Sequence, residues 1–272
     1  MPRPIATGRA APPWLVENES YEDRPIGVLR SGKEAEVFLL ERCFESGPRI
    51  LAHKRFRPRH PKQGELRELG FSKGTIYRAD TVYRAGWNLS SRVQRAVDSR
   101  SAFGDEVIAA SWPSNEFSTL RRAWDAGASV PYALEITGDG VLMEFIGDWA
   151  LPDERLGLDD LDVRVPLAAP RLSDARLAGD ELRSARDQLL DSIKAMTRAQ
   201  IVHGDLSAYN LLWWQGRLVV IDFPQAIDAT ENSAGPALLH RDLSNVGEWF
   251  ARKGAAFDVE RVFANLVVEL MF

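Results

Sequence analysis

Residues 201–228 read I-V-H-G-D-L-S-A-Y-N-L-L-W-W-Q-G-R-L-V-V-I-D-F-P-Q-A-I-D, and the rest of the chain is organised around them. Apolar runs at 211–214 and 218–221 flank Gln215-Gly216, the pattern of two short strands and a tight turn. A hairpin there brings Asn210, just before the first strand, and Asp222, just after the second, back to one end. Asp205 stands five residues before Asn210, in the order H-x-D, four residues, N. Phosphoryl transfer needs a carboxylate at the attacking hydroxyl and oxygen ligands that hold a cation against the phosphates, all fixed by a rigid scaffold. The spacing assigns Asp205 to the hydroxyl and its proton, and Asn210 and Asp222 to the metal. Singly, each also fits a blander role as a turn, cap or loop residue. Only the ordered set points to chemistry.

The bulk properties fit a folded domain and narrow its partners. At 272 residues, with 45% hydrophobic and 27% charged side chains, the chain can bury a large core in one domain or in two lobes. A net charge of -5 argues against a general nucleic-acid binder, although residues 54–62 form a local basic strip. Cys43 is the single cysteine, so no internal disulfide forms and a reducing compartment is expected. With four scattered histidines it cannot supply the usual zinc spacing. No apolar run reaches the roughly 18–20 residues of a membrane span, and residues 1–13 lack a signal-peptide core. A cytoplasmic protein with no membrane contact is expected.

Upstream, residues 1–20 are rich in Pro, Ala and Arg and read as a disordered or loosely packed arm. Residues 28–40 then read strand, turn, strand around Ser31-Gly32-Lys33-Glu34-Ala35, where backbone N–H groups could approach phosphates. Only one glycine is present, and an ordinary polar hairpin is the competing reading. Residues 50–56, I-L-A-H-K-R-F, form a third strand that carries Lys54 among apolar neighbours. A lysine so placed bridges phosphates if a helical glutamate pairs with it. Glu116, on a helix over 105–125, is the candidate, with Glu106 as competitor, and Pro113 is expected to start or kink that helix. Residues 62–100 are polar and aperiodic, as in a mobile insertion.

Residues 132–136 and 141–146, around Gly138-Asp139-Gly140, read as another hairpin. In a two-lobed enzyme the backbone of 144–146 would face the adenine edge, with Met143 behind it; a plain core strand is the alternative for Met143. Residues 148–170 read as a connection and 173–198 as a helix with Leu182, Leu189, Leu190, Ile193 and Met196 on one face. Two amphipathic helices, over 238–252 and 259–271, close the chain. His240-Arg241-Asp242-Leu243 imitates a catalytic H-R-D-L, but Asn245 follows at the wrong interval and no second acid lies downstream. Asp242 is instead expected to be buried and to accept hydrogen bonds from the catalytic-loop backbone.

These segments together resemble the RIO family of atypical serine/threonine protein kinases, in a bacterial-type member. Residues 31–38, S-G-K-E-A-E-V-F, resemble its phosphate loop G-K-E-A-x-V-Y, and Ala52-His53-Lys54 its A-x-K. Residues 203–210 resemble H-[AG]-D-[LF]-S-x-[YF]-N, and 221–226, I-D-F-P-Q-A, its I-D-x-x-Q; Trp112 and Glu116 resemble its W-x-x-x-E helix. The resemblance implies an α+β bilobal kinase-like fold: a small antiparallel-sheet lobe over about 21–146, and a mainly helical lobe over about 147–272 that lacks a conventional activation loop. It implies ATP and magnesium, with manganese as a substitute, autophosphorylation on serine, and in some members ATP hydrolysis through phosphate carried on the metal-binding aspartate, here Asp222. Ser31, Gly32, Lys33, Glu34, Val37 and Lys54 would lie along the nucleotide with Glu116, Met143, Glu144 and Ile146, and Lys54, Asp205 and Asp222 would be catalytic. The protein substrate is unknown, the chain itself included, and ribosomal or nucleic-acid contact rests on family analogy alone. Glu36 departs from the family's frequent Asn and would add negative charge near phosphate.

Two rival readings remain from sequence. Aminoglycoside and choline kinases share H-G-D-x-x-x-x-N and I-D, but usually carry a longer helical region and lack G-K-E-A. A nucleotide-binding pseudokinase module is the second, against which stands the retention of Lys54, Asp205, Asn210 and Asp222.

Overall fold

The computed structural model describes residues 9–15, 19–32, 35–57, 102–150 and 165–271. The expected insertion at 62–100 and the residues Lys33 and Glu34 of the expected phosphate loop lie outside these.

A five-stranded antiparallel sheet forms the first lobe. Its strands are β1 (Tyr21–Ser31), β2 (Ala35–Phe44), β3 (Gly47–Phe56), β4 (Ala133–Ile136) and β5 (Gly140–Glu144), in the spatial order β1-β2-β3-β5-β4. In β3 the alternation of a strand puts Ala52 and Lys54 on one face. Lys54 pairs in register with Val37 on one side and Val141 on the other, both branched side chains that stiffen the central strand. β1 is the exposed edge, and its register slips at Gly27 and again between Val28 and Arg30. Helix α1 (Ala102–Asp125) packs on this sheet through the buried Leu120, Ala123 and Trp124.

α1, expected over 105–125, begins at Ala102, and Pro113, expected to start or kink it, lies inside it and does not start it. A proline removes one intrahelical hydrogen bond, and here the turns around it are held by packing, with Trp112, Pro113 and Glu116 all buried. Residues 148–170 are also more than a connection. β6 (Gly147–Ala150) and β7 (Val165–Ala168) pair antiparallel in a two-stranded ribbon.

The second lobe is mainly helical. α2 (Gly179–Arg198) buries Leu182, Ala185, Leu189, Ile193 and Met196. It starts six residues later than its periodicity suggested, because the N–H groups of Leu172 and Ser173 bond the carbonyls of Leu211 and Ala208 rather than a helical turn. β8 (Ile201–Val202) leads into the loop of residues 203–210 and pairs with β11 (Ile227–Asp228). Between them β9 (Leu211–Trp214) and β10 (Arg217–Val220) form the expected hairpin, with Gln215 and Gly216 both at positive φ as its two-residue turn. α3 (Gly235–Lys253) and α4 (Val259–Met271) finish the lobe. A single apolar cluster runs from Leu39 and Ala52 in the sheet through α1 and the hairpin to Phe250 in α3. That continuity holds the two lobes in register across the cleft between them. No helix among the described residues is long and apolar enough to cross a membrane.

Candidate active site

Lys54 stands at the centre of the site. Its Nζ donates to Glu116 Oε1 and to Asp222 Oδ1, both at 2.7 Å, so one ammonium ties the sheet to α1 and to the end of the hairpin. Burial pulls the Lys54 ammonium down, but Glu116 and then Asp222 outweigh it and its pKa ends above the ordinary lysine value. Burial pushes the Glu116 carboxyl up against the opposing pull of Lys54, and the neighbouring Asp222 charge adds to the rise. Asp222 moves the other way, held below the usual carboxylate range chiefly by Lys54. Glu116 Oε1 also accepts the Phe223 N–H at 3.3 Å, whereas Glu116 Oε2 is buried without a hydrogen-bond partner. Of the two glutamates weighed from sequence, Glu116 is the partner of Lys54.

Asp222 has φ +72°, a left-handed conformation that costs a non-glycine residue about 1–3 kcal/mol. Its surroundings fix that geometry. The Ile221 N–H bonds the Asn210 carbonyl at 2.9 Å, and His203 Nε2 meets the Ile221 carbonyl at 3.1 Å. The imidazole lies on Phe223 with centroids 4.8 Å apart. His203 Nδ1 accepts the Asp205 N–H at 3.3 Å, which leaves Nε2 as the ring nitrogen that faces the Ile221 carbonyl.

Asn210 is buried, and its Nδ2 donates to the Asp205 carbonyl at 2.7 Å and to Asp205 Oδ2 at 3.2 Å. With its amide donors so engaged, Asn210 turns its oxygen away from Asp205. The Asp205 side chain itself is exposed.

The loop carrying these residues is clamped from α3. Asp242, 2% exposed, accepts the Gly204 N–H at 2.7 Å and the Leu206 N–H at 3.0 Å, the anchoring expected from sequence. Arg241 donates to the Gly204 carbonyl, and Asn245 Nδ2 lies 3.4 Å from that of Leu206. The imitation H-R-D-L is therefore a brace for the loop of residues 203–210. Gly204 has φ +79°, and a Cβ there would lie 2.6 Å from the Gln225 carbonyl. The Gly of H-G-D and the Gln of I-D-F-P-Q are thus two sides of one backbone contact.

A cleft of about 580 Å³ opens between the lobes. Gly32, Val37, Lys54, Glu116, Met143, Glu144, Ile146 and Asp222 all line it, so eight of the residues singled out from sequence share one cavity. Ala52 and Leu212 line it too, and strand alternation from Lys54 could have found the first of these. At the hinge the Glu144 N–H is taken by the Tyr132 carbonyl and the Ile146 carbonyl by the Ala169 N–H. The Ile146 N–H makes no hydrogen bond among the described residues. Ser31 departs from expectation. It does not line the cleft, and its hydroxyl instead donates to Glu36 at 2.9 Å and accepts from Arg57 at 2.6 Å. Glu36 is itself paired with Arg57 at 2.6 Å, so the charge added at that position is answered by its own cation rather than left facing phosphate.

The family model for the RIO domain matches residues 75–262. The chain belongs to the RIO domain family. Similar proteins include the RIO-type serine/threonine-protein kinase Rio1 of Haloferax volcanii, 33% identical over 156 residues that make up 57% of this chain and 47% of that one. The serine/threonine-protein kinase RIO1 of Chaetomium thermophilum is 28% identical over 260 residues, 93% of this chain and 44% of its own. The serine/threonine-protein kinase RIO3 of Mus musculus is 29% identical over 161 residues, 59% and 28% of the two chains. The matches thus span less than half of each relative's length. The RIO membership agrees with the two-lobed fold of sheet and helices described above.

Proposed function

We propose that this chain is an ATP- and metal-dependent serine/threonine kinase that takes residues 21–272 as its kinase unit and counts its own serines among its acceptors. The observation that carries this reading is the Lys54 ammonium held between Glu116 and Asp222 inside the interlobe cleft. An ammonium so placed can exchange Asp222 for phosphate oxygens while Glu116 keeps it aimed.

The donor set suits a hard divalent cation. No group of three or more His, Cys, Asp or Glu that could hold a metal occurs among the described residues, and magnesium characteristically takes one or two protein oxygens and completes its shell with phosphate and water. Asn210 Oδ1 and Asp222 Oδ2 are the oxygens the hydrogen-bond pattern leaves for it, with manganese as a substitute; the cation, when bound, neutralises the phosphate charge. The Ile146 N–H would meet the adenine edge, a reading supported by Met143 and Leu212 lining the same cavity. Asp205 would accept the proton of the attacking hydroxyl as the new oxygen–phosphorus bond forms and ADP leaves. Water as acceptor gives ATP hydrolysis by the same groups.

The test is incubation with magnesium and γ-labelled ATP, without added substrate, beside Asp205→Asn and Asp222→Asn. Label on the chain or released as phosphate, absent from both variants, supports the reading. Nucleotide should still bind Asp205→Asn, whereas its magnesium-dependent binding to Asp222→Asn should disappear. Binding of ATP without turnover in the unaltered chain would sink it in favour of a pseudokinase.

A further inference from the structure

Three cations line the cleft among the described residues: Arg30, Lys54 and Arg171. Lys54 is committed to two carboxylates, but neither arginine forms an ion pair within the described residues. Arg30 comes from the edge strand β1, and Arg171 from the segment that follows β7, so the two approach from different lobes. Arg171 is fixed by its backbone, which bridges to Leu212 of the hairpin, while its guanidinium Nε is buried with no hydrogen-bond partner. An arginine left that way is short of an acceptor.

Arg30 owes its direction to a bulge. Val28 pairs with Phe38 and Arg30 with Val37, so Leu29 is the extra residue. In a regular strand Leu29 and Arg30 would point to opposite faces; here both line the cleft, the kind of re-aiming that bulges produce. Burial first, and then the Arg30 charge, lower the pKa of Arg171, while Asp222, Asp174 and Tyr209 oppose the shift, which places Arg30 and Asp222 within electrostatic reach of it. Two unpaired guanidinium groups facing one cavity repel each other until an anion lies between them. We propose that Arg30 and Arg171 form a two-sided clamp on the polyphosphate of the nucleotide, one jaw on each lobe. The clamp rests on the kinase reading for its ligand, and it adds to Lys54 the free positive charge that a triphosphate needs.

The test measures binding of three probes, ATP, inorganic tripolyphosphate and adenosine, to the full chain and to Arg30→Gln, Arg171→Gln, Arg171→Lys and the double glutamine variant. Each glutamine should weaken ATP and tripolyphosphate by about tenfold or more, as expected for loss of charge-assisted hydrogen bonds, and leave adenosine unchanged. Arg171→Lys should recover part of the loss. The double variant should lose less than the product of the single losses, because both jaws hold one ligand. Arg30 is exposed on an edge strand, so its variant folds whatever happens at Arg171. Unchanged ATP affinity with a raised KM for an acidic acceptor would overturn the clamp and give the arginines to the acceptor instead. An equal loss for adenosine would also overturn it, by showing damage to the cavity floor. If tripolyphosphate binds through the arginines but ATP does not, the clamp stands and the kinase reading falls; if neither binds, both fall.

Discussion

The two walls of the cleft are built on different principles. On the helical side the loop of residues 203–210 is braced from beneath by the buried Asp242, with Arg241 and Asn245 beside it, and every brace ends on backbone. On the sheet side the edge strand β1 is exposed along its whole length, and Lys54 is held by two side-chain carboxylates rather than by backbone. Backbone bonds in a buried site are set before any ligand arrives, which is the preorganisation that electrostatic catalysis depends on. On the kinase reading proposed above, the ion pair with Asp222 is by contrast exchanged when phosphate binds. The helical wall is fixed and the sheet wall is traded.

Removing the traded charge should have the largest effect. Lys54→Met leaves Glu116 buried without its cation, and breaking a buried pair on one side costs about 3–5 kcal/mol. The thermal midpoint should fall, and turnover measured by phosphate release should drop about 10²–10³-fold, the loss typical of one donor to a developing charge. A midpoint unchanged from the parent would show that Glu116 is not held by Lys54 in solution.

Next comes the fixed wall. Asp242→Ala strands the N–H groups of Gly204 and Leu206 in a buried site, at about 1–3 kcal/mol each, so chemical denaturation should show a loss of roughly 2–6 kcal/mol. Turnover should fall with stability while ATP affinity, measured on the folded fraction, changes little. A variant that binds ATP poorly yet melts normally would place Asp242 in the wrong half of the comparison. Gly204→Ala is the smaller break in the same wall. Positive φ costs about 1–3 kcal/mol, and the Cβ must also push the Gln225 carbonyl away. Equal stability of Gly204→Ala and the parent would mean that the contact between the two motifs is slack.

How much of this could be read from sequence follows the same division. The hairpin, Asn210, Asp222 and Asp242 were legible because strand alternation, a Gln-Gly turn and helical periodicity are local rules. Glu116 was legible only as one of two glutamates, since nothing local says which turn of α1 faces Lys54. Arg241 passed as part of a decoy motif, because its partner is a carbonyl 37 residues away. Arg30 was hidden by the bulge at Leu29, since alternation without the bulge sends one of the two neighbours to the opposite face. Ser31 was misplaced for a related reason: its hydroxyl belongs to the Glu36–Arg57 pair, and cross-strand pairing is set by a register that sequence does not display.

The smallest expected effect separates the two carboxylates that share Lys54. Asp222 has its folded pKa depressed, so its contribution to stability is present above the unfolded value and is lost as pH falls through the folded one. Glu116 has its folded pKa raised, so its contribution is present below the unfolded value and is lost as pH rises through the folded one. Glu116→Gln removes the second dependence and keeps the first. The melting temperature of the parent relative to Glu116→Gln should therefore be highest in mild acid and decline toward neutral pH, whereas relative to Asp222→Asn it should decline toward acid. Parallel slopes for the two variants would mean that the Lys54 ammonium outweighs burial at Glu116 as it does at Asp222, and that burial does not set the two carboxylates apart.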